Sequence, residues 1–93
     1  MGHAQVVIVT GGGQGIGKAT ARRLLDTGRA VVIADTDDEA GRETTAEYRA
    51  LGDIRFVRCD VADEAQVRGL VDQTIDQHGR LDALVNNAGI GRF

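Results

Sequence analysis

Three glycines, Gly11, Gly15 and Gly17, have the spacing of a backbone that binds an anionic group. Gly11 allows a sharp turn with backbone angles that cost other residues energy. Gly15 has no Cβ, so a pyrophosphate can approach the amides at the start of a helix, where free N–H groups and the helix dipole favour negative charge. Gly17 allows that helix to pack closely on the preceding strand. A glycine-rich turn that binds nothing has the same composition, so the flanking residues decide between the two interpretations.

The residues on either side of the glycines are those that a dinucleotide site needs. Residues 5–10 are rich in Val and Ile without polar alternation, which is typical of a strand buried on both faces of a parallel sheet. Residues 16–27 predict a helix, with Gly28 as its stop signal, and residues 30–34 predict a second strand. Asp35 follows that strand, roughly 20 positions after the glycines, as the dinucleotide fingerprint requires.

The rest of the chain repeats the strand–helix unit. Residues 36–39 have the Thr-x-x-Glu spacing of a capping box and predict a second helix to about residue 50. Residues 54–59 predict a third strand, which its arginines place near a sheet edge. Asp63, with Gln66 at the reciprocal position, caps a third helix, and residues 81–85 predict a fourth strand. The predicted buried stripes are Ile16, Ala19, Thr20, Arg23 and Leu24 in the first helix and Val67, Leu70, Val71, Thr74 and Ile75 in the third.

This order predicts an α/β fold. It is the first half of a Rossmann-like, doubly wound parallel sheet, βαβαβαβ, with strand order 3-2-1-4. Ligands of such sheets bind at the carboxyl ends of the strands, beside the topological switch point. Residues 10–17, Asp35, residues 60–61 and residues 87–89 all follow strand ends. We therefore expect these four segments to converge on one crevice.

Composition narrows the classes of partner and compartment. The net charge is −3, acids and bases are interspersed, and no basic run indicates a nucleic acid or an anionic membrane as partner. The apolar run at residues 6–9 is too short for a signal peptide or a membrane span, so we expect a cytoplasmic protein. Cys59, the only cysteine, excludes an internal disulfide and a cysteine-pair metal site, and is expected to be a buried, inert thiol. No metal site is predicted, and the isolated His3 and His78 are expected at the surface.

The motifs resemble those of the short-chain dehydrogenase/reductase family. Residues 10–17, Thr-Gly-Gly-Gly-Gln-Gly-Ile-Gly, match that family's Thr-Gly-x-x-x-Gly-x-Gly loop. Residues 86–89, Asn-Asn-Ala-Gly, match its second signature, and residues 60–61, Asp-Val, look like the pair that brackets the adenine ring in the family. These matches span nearly the whole chain, and their combination is highly specific.

The resemblance implies an NAD-dependent oxidoreductase that transfers hydride between NAD(H) and an alcohol or carbonyl substrate. In the implied site, the loop lines the phosphates, Asp35 binds the adenosine ribose, residues 60–61 hold the adenine, and residues 87–89 line the far side of the cofactor. The implied cofactor-binding residues are Gly11, Gln14, Gly15, Ile16, Gly17, Asp35, Asp60, Val61, Asn87, Ala88 and Gly89. Asparagines at a strand end can instead satisfy the backbone of a turn, and for Asn86 both interpretations stay open.

Asp35 favours NAD over NADP. The 2′-phosphate of NADP carries almost two negative charges, and a carboxylate about 4 Å away opposes each by roughly 4 kcal/mol at an effective dielectric of 20, before salt screening. No cation offsets this repulsion at the neighbouring positions, which are Thr36 and Gln14.

The chain departs from the family in its catalytic residues. Family chemistry depends on a Tyr-x-x-x-Lys pair, an upstream Ser and a further Asn, all placed after the Asn-Asn-Ala-Gly segment. The only tyrosine here is Tyr48 and the only lysine is Lys18, so the pair is missing and no catalytic residue is assigned. We therefore expect residues 1–93 to be a partial NAD-binding domain of a longer enzyme, truncated before the catalytic region.

Two other interpretations stay open. The chain is either a non-catalytic NAD-binding or interaction module, or one half of a split enzyme that another chain completes. In each case the fourth strand leaves an uncovered sheet edge, which predicts self-association or a partner chain.

Overall fold

The structure, a computed structural model, describes residues 4–87, in which strands alternate with helices. The elements are β1 Val6–Thr10, α1 Gly15–Asp26, β2 Ala30–Asp35, α2 Asp38–Tyr48, β3 Ile54–Arg58, α3 Glu64–His78 and β4 Ala83–Asn86. A short 3-10 helix, Arg49–Leu51, extends α2. The predicted order of elements is confirmed, with small shifts at their ends.

All strand pairs among the described residues are parallel, and the strand order β3-β2-β1-β4 is the predicted one. Thr10, the last residue of β1, pairs with Ala34 of β2 and Asn86 of β4, and Asp35 pairs with Arg58 of β3. This register brings the carboxyl ends of all four strands to one edge of the sheet. The segments that follow β1, β2, β3 and β4 therefore begin at the same edge.

The two central strands carry apolar side chains on both faces because helices cover both. On one face Val7, Val9, Val31 and Ile33 pack against residues of α1 and α2. On the other face Ile8, Val32 and Ala34 pack with Leu70 of α3 and with Cys59, whose thiol is buried as predicted. Two-sided burial explains the continuous apolar runs of β1 and β2.

The ends of the helices follow local capping chemistry. The predicted N-cap Thr36 is wrong: α2 starts after Asp37, whose carboxylate accepts a hydrogen bond from the Ala40 amide at 3.0 Å. A carboxylate also interacts favourably with the helix dipole, which a threonine hydroxyl does not. Asp63 is confirmed as the cap of α3, because its carboxylate accepts from the Ala65 and Gln66 amides. The predicted reciprocal bond from Gln66 is wrong: its Oε1 accepts from the Asp60 amide, while the Asp63 amide donates to the Asp60 carbonyl.

Two of the predicted helix faces are wrong in part. In α1 the buried residues are Gly17, Ala21 and Leu25, and Ile16 is 69% exposed, because the close approach of Gly17 sets the rotation of the helix. In α3 Leu70 and Thr74 are buried, but Ile75 lies about 120° around the helix from the midpoint of these two residues and is exposed.

The prediction for His78 is wrong, and that for His3 lies outside the described residues. The His78 side chain is only 6% exposed, with Nε2 3.4 Å from Oδ2 of Asp53 where α3 ends beside the start of β3. No described helix is both long and apolar enough to cross a membrane.

Candidate functional site

The loop after β1 turns sharply at Gly11. Gly11 has a positive φ of 65°, as expected for a residue chosen for its backbone freedom. Its amide donates to the Ala34 carbonyl at 2.7 Å, which ties the turn to the end of β2. The loop therefore starts from a fixed point at the carboxyl edge of the sheet.

Gly15 opens the start of α1 to a ligand. It has a φ of 62°, and a Cβ built on it would meet no atom within 4 Å. The N-cap residue, Gln14, makes no side-chain capping hydrogen bond within the described part of the chain. Because the first amides of a helix have no intrahelical acceptor, this end of α1 offers N–H donors and a positive dipole to an anion.

Gly17 is the point at which α1, the loop and β4 meet. A Cβ on Gly17 would overlap the Gly11 carbonyl and lie 2.8 Å from Nδ2 of Asn87. Close packing at Gly17 is thus confirmed, but it is directed at the turn and at Asn87 more than at the strand. Gly17 therefore lies against both Gly11 and Asn87, so three of the predicted site residues are close together.

Gly13 is held from two elements. Its amide donates to Oδ2 of Asp35 at 3.0 Å, and its carbonyl accepts from Oγ1 of Thr44 at 2.7 Å. A Cβ on Gly13 would lie 2.8 Å from the same Asp35 oxygen and 3.0 Å from the Gly41 amide nitrogen. The middle of the loop is therefore clamped between the end of β2 and the side of α2.

Thr44 is a site-positioning residue that sequence reasoning missed. Thr20, Thr45 and Thr74 each donate to the carbonyl four residues earlier in their own helix, the usual bond for a helical threonine. Thr44, which is 1% exposed, instead donates across to the loop. The available signal in the sequence is a threonine on the side of α2 that faces the loop. This signal can be interpreted only when the position of the loop is known.

Asp35 presents an oriented carboxylate next to the loop. Oδ2 accepts from the Gly13 amide and Oδ1 accepts from the Asp37 amide, each at 3.0 Å. An ionised carboxylate offers about four acceptor positions, so about two stay available to hydroxyl donors. The side chain is half-buried, and it can bind the two hydroxyls of a ribose in this orientation.

The end of β4 is fastened to β1 by a hydroxyl. Oγ1 of Thr10 accepts from the Asn87 amide at 2.8 Å and lies 3.0 Å from Oδ1 of Asn86. Asn86 therefore has a structural partner at the strand end, in line with the second interpretation of that residue. Asn87 reaches the site through its contact with Gly17, whereas Ala88 and Gly89 lie outside the described residues.

Asp60 and Val61 are placed differently from each other. The Asp60 carboxylate accepts from the Ala62 amide at 2.9 Å, and its own amide donates to Gln66, so this residue orders the turn into α3. Val61 lines a cavity of about 130 Å³ with Thr10 and Asn86, among others. That cavity brings together the ends of β1 and β4 and the turn after β3.

Within the described part of the chain, the side chains of the single lysine, tyrosine and cysteine take no part in the contacts of the loop. Nζ of Lys18 is 2.8 Å from Oε1 of Glu47 and 5.7 Å from the centroid of the Tyr48 ring, and the hydrogen bond to Glu47 raises the pKa of Lys18. Tyr48 is a core residue. Burial, with smaller contributions from Asp60 and Asp63, raises the pKa of the Cys59 thiol. Within the described residues no group of His, Cys, Asp and Glu is arranged to hold a metal ion.

Comparison with known families and curated proteins gives a consistent assignment. The family model described as short chain dehydrogenase matches residues 5–93. An uncharacterized oxidoreductase of Thermotoga maritima is 47% identical over 89 residues, which are 95% of this chain and 35% of that protein. The chain spans about a third of the length of the curated relatives it matches.

Solved structures with the same fold have been captured with either cofactor. A short chain dehydrogenase/reductase from Burkholderia phymatum in complex with NAD has a TM-score of 0.84 and 35% identity, over 88% of this chain and 30% of that one. RhlG from Pseudomonas aeruginosa, in an NADP active-site complex, has a TM-score of 0.82 and 38% identity, over 91% and 34% of the two chains. The structural neighbours include proteins bound to NAD and to NADP, so they do not discriminate between the two cofactors.

Proposed function

The chain belongs to the short-chain dehydrogenase family, and from that membership we propose that it is the NAD-binding part of an oxidoreductase. The reaction is hydride transfer between NAD(H) and an alcohol or carbonyl substrate. The observation that carries the proposal is the open backbone at Gly15, at the start of α1, beside the oriented carboxylate of Asp35. Together they match a pyrophosphate and the ribose next to it.

In this proposal each segment at the sheet edge holds one part of the dinucleotide. The amides of Gly15 to Gly17 bind the pyrophosphate, and Ile16, exposed on the same turn, offers an apolar contact. Asp35 accepts hydrogen bonds from the adenosine ribose. When bound, NAD supplies the nicotinamide ring that accepts or releases hydride. The remaining assignments are Gly11 and Gln14 at the phosphates, Asp60 and Val61 at the adenine, and Asn87, Ala88 and Gly89 on the far side.

The preference for NAD over NADP is part of the proposal. Two backbone amides fix the Asp35 carboxylate at the end of β2, so it cannot swing away from a 2′-phosphate without losing both hydrogen bonds. Replacing Asp35→Ser together with Thr36→Arg removes the repulsion and adds a cation, so the ratio of NAD to NADP affinity is expected to fall. Unchanged selectivity in that double variant contradicts the assignment of Asp35.

We propose that these residues alone bind cofactor without turnover. Proton transfer in this family's reaction needs a tyrosine whose pKa a nearby cation lowers. Tyr48 lies in the core and the Lys18 charge is paired with Glu47, so neither is available at the strand ends. The acid/base group then comes from outside residues 1–93, in the same polypeptide or in a second chain.

The exposed flank of β4 supports a second candidate, a module that works with a partner. Within the described sheet β4 pairs only with β1, and Leu84 is 42% exposed. We propose that self-association or a partner chain covers this edge; a monomer in sedimentation at high protein concentration contradicts this. A second chain that copurifies in fixed ratio favours the split-enzyme interpretation. The cytoplasmic location, and the exclusion of nucleic-acid and membrane partners, stay predictions from composition.

Calorimetric titration with NAD tests the central proposal. Gly15→Val fills the open space and forces a β-branched residue into a positive φ, so binding is expected to disappear. Gly69→Ala is the matched control, because that glycine lies on α3 with free space around its Cβ position. Saturable binding by the wild type and the control, lost in Gly15→Val, is the predicted result. Absence of binding in a folded wild-type sample contradicts the proposal.

A further inference from the structure

A groove of about 390 Å³ runs between α2 and β3 and includes none of the residues assigned to the cofactor. Its helical wall is formed by Asp38, Arg42, Thr45 and Arg49, on α2 and its 3-10 extension. The spacing of these positions, three or four residues, places them on one face of a helix. The wall therefore runs along β3 for about 16 Å, which is about the length of a five-residue strand.

The groove is positively charged in a chain that is negative overall. The lining contains four arginines and one acidic residue, Asp38, whereas the whole chain has a net charge of −3. The arginines are Arg42, Arg49, Arg55 and Arg58. Arg42 is hydrogen bonded to Asp38 at 2.7 Å, and Nε of Arg55 lies 3.5 Å from Oδ1 of Asp53. No acidic group of the described residues lies within ion-pair distance of Arg49 or Arg58. At least two guanidinium groups are therefore available to an anionic ligand.

The floor of the groove is an open strand edge. Within the described sheet β3 pairs only with β2. The Asp53 carbonyl accepts from Val31, and the Cys59 amide donates to Asp35, so the odd-numbered residues turn their backbone groups towards β2. Because successive peptide groups of a strand point to opposite sides, Ile54, Phe56 and Arg58 direct theirs to the open edge. These groups can pair with one more strand.

We propose that this groove binds an extended acidic segment of another protein, which adds to β3 as a further strand. The backbone of the segment pairs with β3, while its carboxylates meet Arg49 on the helical wall and Arg58 on β3. A second copy of this chain that pairs through β3 is a poor occupant, because that strand carries two arginines and no carboxylate to meet the arginines of the groove. Protection of an edge from aggregation explains charges on β3, but it does not explain Arg42 and Arg49 on the facing helix.

The test measures binding of a fluorescent peptide that alternates glutamate and valine, by anisotropy, to the wild-type chain. Exposed Arg–carboxylate contacts each change affinity by a factor of about two to five, so Arg49→Glu with Arg58→Glu is expected to weaken binding about tenfold or more. Arg22→Glu with Arg68→Glu is the matched control, because both arginines are exposed on α1 and α3, outside the groove. Circular dichroism checks that both double variants are folded.

A second arm uses the wild-type protein alone, so it does not depend on the folding of a variant. The same peptide carrying N-methyl groups on alternate amides keeps its charge but loses the donors that pair with a strand edge. Loss of binding on N-methylation and in the groove variant, with binding kept in the control variant, supports the proposal. Equal binding of the methylated peptide, or of a short single-stranded oligonucleotide, shows a general anion surface and overturns it, as does absence of peptide binding.

Discussion

The two flanks of β1 differ in how completely they are built. Towards β2, the loop is clamped at Gly13 by Asp35 and Thr44, and almost every strand residue is buried. Towards β4, Thr10 fastens the strand end, but Leu84 and much of β4 are exposed. The same central strand thus has a well-packed neighbour on one side and an exposed neighbour on the other. We call the side of β1 towards β2 the finished flank and the side towards β4 the open flank.

This difference divides the proposed cofactor site. The groups assigned to the pyrophosphate and the adenosine ribose are positioned by contacts inside the described chain. The groups assigned to the far side of the cofactor depend on β4, in which three of the four residues are exposed. We therefore expect this chain to bind the adenosine half, and the chemistry at the nicotinamide to require further residues.

Gly17→Ala is expected to have the largest effect, because Gly17 belongs to both flanks. Its new methyl group would overlap the backbone of Gly11 and crowd Asn87, so the loop and the end of β4 must both move. We expect a loss of about 3 kcal/mol in the free energy of unfolding, measured with urea. Gly69→Ala, in an open part of α3, is expected to be neutral or to stabilise by up to about 1 kcal/mol. Equal effects of the two substitutions contradict the packing described for Gly17.

Thr44→Val tests the finished flank. It removes the hydrogen bond to the Gly13 carbonyl and leaves that buried carbonyl without its donor, which costs about 2 kcal/mol of unfolding free energy. Thr74→Val is the matched control on α3, because the carbonyl that it releases belongs to its own helix. We expect NAD affinity, measured by calorimetry, to fall in Thr44→Val only. A parallel loss of affinity in Thr74→Val would falsify the specific role of Thr44.

Thr10→Val tests the open flank. The Asn87 amide loses its acceptor and the end of β4 loosens, at a cost of about 1 kcal/mol. Amide hydrogen exchange is expected to accelerate at Asn87 and to stay unchanged at Gly13, whose partners lie on the other flank. Acceleration of both amides to the same extent shows that the flanks are not independent.

Substitution of Asp82, just before β4, is expected to have the smallest effect, which is on the pH dependence of the free energy of unfolding. The hydrogen bonds from Arg80, and then from the Val6 amide, lower the pKa of this carboxylate below its ordinary value of 3.8. A lowered pKa in the folded state stabilises the protein above the unfolded-state pKa, and this contribution is lost as the pH falls through the folded-state value. In urea unfolding below about pH 4, Asp82→Asn is expected to flatten the pH dependence. Arg80→Gln removes the largest cause and should shift the pKa of Asp82 upwards in an NMR titration.

The sequence predicted the fold because its strongest patterns are local. The continuous apolar runs of β1 and β2, the glycines at 28 and 79 that end α1 and α3, and the cap at Asp63 each depend on neighbours in the chain. Roles that depend on a distant partner were missed. Thr44 acts on a loop 31 positions away, and His78 is sheltered beside Asp53, so neither has a local signal.

The predicted site shows the same limit. The positive φ of Gly11 and the open space at Gly15 follow from the motif itself. The exposure of Ile16 does not, because the rotation of α1 is set by the contact between Gly17 and the turn. Composition and spacing also cannot show that Asp35 is held by two amides, since this depends on how closely the loop approaches β2.

The most direct test of the divided site compares two ligands in calorimetric titrations of the wild-type chain. ADP-ribose contains the pyrophosphate and the adenosine half of NAD but lacks nicotinamide. If the finished flank supplies the binding energy, the two affinities agree within about threefold, which is less than 1 kcal/mol. Binding of NAD without measurable binding of ADP-ribose would place the main contacts at the nicotinamide end and contradict the division of the site.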